Sequence, residues 1–202
     1  NPVGLIDLVP TLLDIAEAFL GPDLALFASH YICKPPGDGQ AVLWHQDGGY
    51  WPLEPMKVIT LWLAVDRSDQ ENGCMKIVPG TQNVDLQKVQ ERNDVDNVLG
   101  SGIDESNVDE SKAVDIVLEP GDVSVHHPNV IHGSYANDSD RRRRGLTIRY
   151  IPATTRIIKE SPNPDIEASG AGADGKPFPS AFFLRGNPNE HANIYNPLPT
   201  FS

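Results

Sequence analysis

The chain has 202 residues, enough for one domain with a substantial core. Its 28 acidic residues outnumber 16 basic ones and give a formal net charge of −12, which argues against nucleic acid or an anionic membrane as a general partner, since both are polyanions. Cys33 and Cys74 lie far apart with no C-x-x-C pair, which argues against a cysteine zinc site or a disulfide framework, and no apolar run reaches the roughly 20 residues of a membrane span.

The chain opens at Asn1 with no basic segment ahead of an apolar run, so a trimmed N-terminus without a signal peptide is expected, and a cytoplasmic address is the default. Residues 5–20, "LIDLVPTLLDIAEAFL", carry apolar side chains at helical spacing, with Pro10 near the first turn and Gly21-Pro22 as the stop. Short strands follow. "LALFASHYICK" (24–34), "KVITLWLAVD" (57–66), "CMKIVPG" (74–80), "AVDIVLEPGDVSVHHP" (113–128, broken by a Pro-Gly turn), "VIHGSYA" (130–136) and "RGLTIRYIP" (144–152) have β-branched and aromatic content between Pro/Gly turns. Residues 84–112 are polar and acidic and read as a surface insertion. Residues 153–202 read as an irregular tail or lid, with "SAFFLR" (180–185) its strongest apolar patch. The expected fold is mainly β, a barrel or jelly roll with the N-terminal helix packed outside. One domain spanning 1–202 is expected, with its core at about 24–152.

The chemistry begins in "WHQDGGYWPL" (44–53). On an extended segment residues i and i+2 share a side, so His45 and Asp47 can offer a nitrogen and an oxygen to one ion. A further histidine from a later strand completes a two-His-one-carboxylate face, which leaves coordination positions open on iron(II). Among His126, His127 and His132, the choice falls on His132. A hairpin centred on Asn137-Asp138 would set it opposite Arg143, whose guanidinium suits the far carboxylate of an iron-chelating co-substrate. Adjacent His126 and His127 point to opposite faces, and packing is the expectation for both. His191, in the tail, is expected to be solvated. Strand parity puts Leu146, Ile148 and Tyr150 on one face with Arg144. Arg143, Thr147 and Arg149 fall on the other, and Arg141, Arg142 and Arg144 are taken as a solvated loop tip. In 57–66, Ile59, Leu61, Leu63 and Val65 form the face under the helix, while Thr60 and Trp62 face a site. The cysteines are expected to be small buried residues.

"WHQDGGYWPLEPMKVITLWLAVD", "NGCMKIVPGTQ" and "GDVSVHHPNVIHGSYANDSDRRRRGLTIRY" together resemble the phytanoyl-CoA dioxygenase family of iron(II)/2-oxoglutarate-dependent oxygenases, over about residues 24–152. The resemblance implies a double-stranded β-helix, with His45, Asp47 and His132 as iron ligands and Arg143 as the anchor for 2-oxoglutarate. It puts Trp62, Gln46 and Ser134 beside the co-substrate, with His30 near another such position and Thr60 as a lining donor. Tyr50 and Trp51 are expected at the substrate mouth. The implied cofactors are Fe(II), 2-oxoglutarate and O2, and the implied reaction hydroxylates an aliphatic carbon of a small organic molecule, releasing succinate and CO2. A carboxylate at 47 stands where related halogenases have a small residue, which points to a hydroxylase. The sequence departs from the family at "PGTQN", where a histidine commonly follows Ser or Thr, and in its short N-terminal side. Two other readings stay open: a catalytically silent jelly-roll binding module, and a cupin-like metalloenzyme that does not use 2-oxoglutarate. Oligomeric state and substrate identity are not read from the sequence.

Overall fold

The computed structural model describes residues 10–158, 181–187, 193 and 195–198. The first turn expected at 5–9, the expected lid over 159–180 and His191 lie outside the described residues. The elements in order are helix α1 (Pro10–Leu20) and strands β1 (Leu24–Lys34), β2 (Val42–His45), β3 (Leu53–Glu54), β4 (Ile59–Ala64), β5 (Met75–Ile77), β6 (Val89–Glu91), β7 (Ser101–Ile103), β8 (Val114–Ile116), β9 (Val123–His126), β10 (His132–Ser134), β11 (Arg143–Pro152), β12 (Arg156–Ile157) and β13 (Phe182–Arg185). A five-stranded sheet in the order β13-β1-β11-β4-β9 faces a four-stranded sheet in the order β2-β10-β5-β8, and two small ribbons, β12-β3 and β6-β7, flank them. Paired strands run antiparallel throughout. This is the expected double-stranded β-helix.

The five-stranded sheet divides by strand parity. Leu61, Leu146, Ile148 and Tyr150 face outward and bury against Leu12, Leu13, Ala16 and Leu20 of α1. Leu61, Ile148 and Tyr150 are fully inaccessible to solvent, and burial of such side chains contributes about 1.5–3 kcal/mol each. Val65, expected on this face, is exposed, because β4 ends at Ala64. The opposite, inner face is polar. Arg143 pairs with Lys34, Thr147 with His30 and Trp62, and Arg149 with Thr60, while Thr60 and Trp62 pair with His126 and Ser124 of β9. A register shift between Leu26 and Ala28 inserts Phe27 as an extra residue in β1. Downstream of this bulge the odd and even positions exchange faces, which turns His30 and Lys34 inward. Phe27 itself packs edge-on to Trp51, with ring centroids 5.9 Å apart, in a second core cluster with Leu53, Val58 and Ile151.

Four expectations change here. His132 and Arg143 do not face each other across a hairpin. His132 pairs with His45 and Ile77 in the four-stranded sheet, whereas Arg143 pairs with Lys34 in the other. The segment between them passes from one sheet to the other. Asn137, fully buried, fixes that passage by donating to the carbonyls of Lys34, Pro35 and Arg141 and accepting from Ser139. Residues 84–112 are largely exposed, but they are not only surface. β6 and β7 pair, Val89 and Ile103 are buried, and Ile103 joins a third core cluster with Val78 and Ile131. Cys74 is buried as expected, but Cys33 is exposed, and both are free thiols. The loop-tip arginines are ion-paired: Arg141 with Asp69 and Glu71, Arg144 with Asp66. No helix among the described residues is long and apolar enough to cross a membrane.

Replacing Asn137 with Ala strands its backbone partners without a donor. Equilibrium urea unfolding is expected to show a loss of at least about 2 kcal/mol.

Candidate metal centre

His45 ends β2 and His132 begins β10, so cross-strand pairing sets the two imidazoles together, with ring centroids 4.1 Å apart. Asp47 opens a short 3-10 turn, Asp47–Gly49, that follows β2. One donor atom from each of His45, Asp47 and His132 lies within 4.8 Å of the others, and all three residues are buried. His132 precedes Gly133, where a Cβ would meet the Val42 carbonyl oxygen at 2.9 Å, so only glycine lets β2 approach this closely. His45 Nδ1 lies 2.8 Å from the Leu43 carbonyl oxygen, and His132 Nδ1 lies 2.8 Å from that of Val130. A carbonyl only accepts, so each Nδ1 carries the proton and each Nε2 keeps its lone pair for a metal. Burial holds both imidazoles below their usual range, so they are neutral and ready to ligate. Two neutral imidazoles and one carboxylate are a donor set that fits iron(II).

Burial alone would raise the Asp47 carboxyl. Arg149, the His126 imidazole, and the nearby His132 and His45 outweigh it and hold the group far below the usual carboxylate range. The contacts are His45 Nε2 at 3.8 Å, His126 Nε2 at 3.7 Å and Arg149 Nη2 at 3.9 Å, and Thr60 Oγ1 donates at 3.4 Å. Asp47 is therefore ionised.

A second cluster lies on the same inner face. Lys34 is buried, and its Nζ donates to Ser134 Oγ at 2.8 Å and to the Tyr135 carbonyl. Arg143, also buried, sits with Cζ 5.4 Å from the centre of the Trp62 ring, and its Nε has no hydrogen-bond partner among the described residues. Trp62 occupies this place because residue 145 is glycine: a Cβ there would lie 2.1 Å from the indole. Burial, then Arg143, lowers the Lys34 ammonium to about 7, and burial lowers Arg143 to about 10. No carboxylate among the described residues pairs with either cation.

The structure thus brings together His45, Asp47, His132, Thr60, Trp62, Ser134 and Arg143, with His30 at the rim, where its Nδ1 accepts from Arg149 Nη1 at 2.7 Å. Gln46 is not beside the co-substrate region. It points to the other side of the segment, donating to the Asn129 carbonyl at 2.8 Å and accepting from Gln87 N at 2.7 Å, and so straps the 84–112 segment to the motif. Parity dictates this, because 46 opposes 45 and 47. Trp51 is not an open mouth residue but is only 7% exposed in the core against Phe27. Tyr50 is half-buried, its ring 6.2 Å from His45 and its hydroxyl 3.0 Å from Ser101 Oγ. Lys34 enters unannounced, Arg149 comes from the polar face of β11 that parity gives it, and His126 takes a place at the site where packing is the expectation. Lys34 lies on the strand before the motif, Arg149 shares the parity of Arg143, and His126 faces Asp47 while His127 accepts from Asn129 N.

A profile described as Phytanoyl-CoA dioxygenase (PhyH) matches residues 3–145. The chain belongs to the phytanoyl-CoA dioxygenase family. The peroxisomal phytanoyl-CoA dioxygenase of Bos taurus is 31% identical over 157 residues, 74% of this chain and 46% of that protein. The chain therefore spans about half the length of the curated relatives it matches. An apo structure of ThoJ, a non-heme monooxygenase, is similar with a TM-score of 0.73 and 26% identity, over 94% of this chain and 63% of that one. EvdO2 from Micromonospora carbonacea var. aurantiaca, complexed with 2-oxoglutarate, is similar with a TM-score of 0.63 and 27% identity, over 74% of this chain and 61% of that one. The cofactor set of this family of oxygenases is iron(II), 2-oxoglutarate and O2.

Isothermal titration with Ni(II), a redox-silent probe, is expected to give one ion per chain. His132→Ala is expected to weaken it by at least about a hundredfold, since a metal site loses affinity with each ligand removed.

Proposed function

We propose that this chain is an iron(II)- and 2-oxoglutarate-dependent dioxygenase that hydroxylates an aliphatic carbon of a small organic substrate. The observation that carries this reading is a pair of buried cations, Lys34 and Arg143, lacking a carboxylate partner among the described residues, on the wall that also holds the His45/Asp47/His132 donor set. Buried charge without compensation is costly, and the far carboxylate of 2-oxoglutarate supplies the missing charge. That supports this reading over a cupin-like metalloenzyme, which has no use for the cations, and over a silent module, which has no use for either set.

In this reading His45 and His132 hold the metal through Nε2 and Asp47 holds it through its carboxylate. Arg143 and Lys34 grip the far carboxylate, with Ser134 fixing the Lys34 ammonium and Trp62 walling the chain between. The bound cofactors supply the oxidising power, 2-oxoglutarate leaving as succinate and CO2. The protein orients the reactants and excludes water. Asp47 fills the position that a halide would need, which favours hydroxylation over halogenation.

A succinate-release screen over a substrate library, with His132→Ala as control, tests the activity; no release above the control from any substrate would sink it. Arg143→Ala is expected to weaken 2-oxoglutarate binding to the Ni(II) form by at least about a hundredfold, as expected for loss of a buried charge partner. An affinity unchanged in that variant would favour the cupin-like alternative.

The lysine gives a pH signature. Free Lys34 loses its proton near 7, and an anion favours its charged form. Above that pH, binding must take up a proton, so 2-oxoglutarate affinity falls as pH rises, by up to about tenfold per unit. Calorimetry at pH 8 in buffers of different ionisation enthalpy is expected to show that proton uptake in the wild type and its loss in Lys34→Met.

A further inference from the structure

Arg149 projects from the same face of β11 as Arg143, six residues further along, so the two lie roughly 20 Å apart along the strand. It therefore belongs to the other end of the site from the Lys34/Arg143 pair. Its Nη1 is engaged, donating to His30 Nδ1 at 2.7 Å and Thr147 Oγ1 at 3.2 Å, and its Cζ lies 5.0 Å from the centre of the Trp51 ring. The other edge of the guanidinium is different. Nη2 stands 3.9 Å from Asp47 Oδ1, beyond hydrogen-bond length, and Nε is buried with no hydrogen-bond partner among the described residues. That Nε/Nη2 edge is one of the forks that binds a carboxylate through two parallel hydrogen bonds. The Arg149 side chain is 12% exposed and its neighbour His30 is exposed, so the guanidinium lies close to the surface although Nε itself is covered.

Charge bookkeeping points the same way. A divalent ion and Arg149 stand against the Asp47 carboxylate and the chelating carboxylate of the co-substrate, which leaves a single positive charge unmatched. Asp47 offers Arg149 no hydrogen bond, its Oδ1 standing 3.9 Å from Nη2. We propose that the Nε/Nη2 edge of Arg149 is an oxyanion subsite for the substrate, which carries a carboxylate or a phosphorus oxyanion within a few bonds of the carbon that is oxidised. An acceptor held about 3 Å from that edge lies next to a metal ligand, which fixes the short separation. The proposal rests on the dioxygenase reading above and names the class of substrate for it. His30 holds the fork in place by accepting from Nη1, and Trp51 supports it from below.

The test uses the Ni(II) form of the full chain with 2-oxoglutarate, which binds but does not turn over. Butyrate and methylphosphonate are titrated against neutral butyramide, followed by calorimetry and by the arginine Nε–H resonances in NMR. The wild type is expected to bind the anions at least about tenfold more tightly than the amide, as for a charge-assisted bidentate contact, with the Arg149 Nε–H resonance shifting on anion addition only. Arg149→Gln is expected to lose that preference, and to lose more affinity for the anions than for 2-oxoglutarate. Arg149→Lys, which keeps the charge without the fork, is expected to keep part of it. A wild type that does not prefer the anions, or an Arg149→Gln protein that still does, overturns the proposal. So does an Arg149→Gln protein whose main loss is of 2-oxoglutarate, because the anion at this edge would then be the co-substrate's own. Failure of the dioxygenase reading shows separately, as unchanged 2-oxoglutarate binding in Arg143→Ala, while the anion preference is still measured on the Ni(II) form alone.

Discussion

The site depends on the period-two alternation of one strand. β11 turns Leu146, Ile148 and Tyr150 to the helix and Arg143, Thr147 and Arg149 to the interior. Since α1 can bury only the apolar set, the register of β11 cannot slip by one residue without burying arginine under the helix and exposing leucine to the site. The hydrophobic core thus holds the catalytic wall in place indirectly. Each residue that makes the outer face dry also fixes a polar neighbour facing inward, and the central position of β11 between β1 and β4 passes that constraint to Lys34, His30, Thr60 and Trp62.

The interior so defined is organised by charge. Asp47 draws on Arg149 and on its histidine neighbours, whereas Lys34 and Arg143 lack any such counter-ion among the described residues. Among the described residues, one end of the wall holds a carboxylate and the other holds none. Buried cations without a counter-ion are expensive to maintain. The two sheets share the work. The four-stranded sheet brings two imidazoles into register across β2 and β10, and the five-stranded sheet supplies the cations.

Much of this was legible in the sequence, and the limits have physical causes. His45 and Asp47 follow from their spacing alone, and the outward and inward faces of β4 and β11 from alternation. The helix was visible in its 3.6-residue period. His132 was named correctly for the cluster but through a hairpin that does not form: its cross-strand partners are His45 and Ile77. Local turn signals in "YANDSD" do not say whether a chain doubles back within one sheet or crosses to another, and the buried Asn137 side chain decides that through contacts distant in sequence. Gln46 carried a pattern-based role against the parity that placed its neighbours. The adjacency of His126 and His127 says that they face opposite sides but not which of them faces inward, and pairing with Thr60 decides it for His126. The β6-β7 ribbon was hidden by its polar composition, since its buried hydrophobic side chains are a single cross-strand pair, Val89 and Ile103.

The bulge at Phe27 has a consequence for how such a site can vary among related chains. Because that single extra residue exchanges the two faces of β1, the inward positions of His30 and Lys34 are encoded by the number of residues that precede them as much as by their identity. A deletion of one residue between Leu26 and Ala28 would leave every site residue in the sequence and yet carry the Lys34 ammonium to the side packed by α1. A change of length in the first half of β1 therefore shifts the phase of the wall in a way that a substitution does not, while the ribbon around Val89 and Ile103 is joined to the site through side-chain bonds of Gln46 and Tyr50 and does not set that phase.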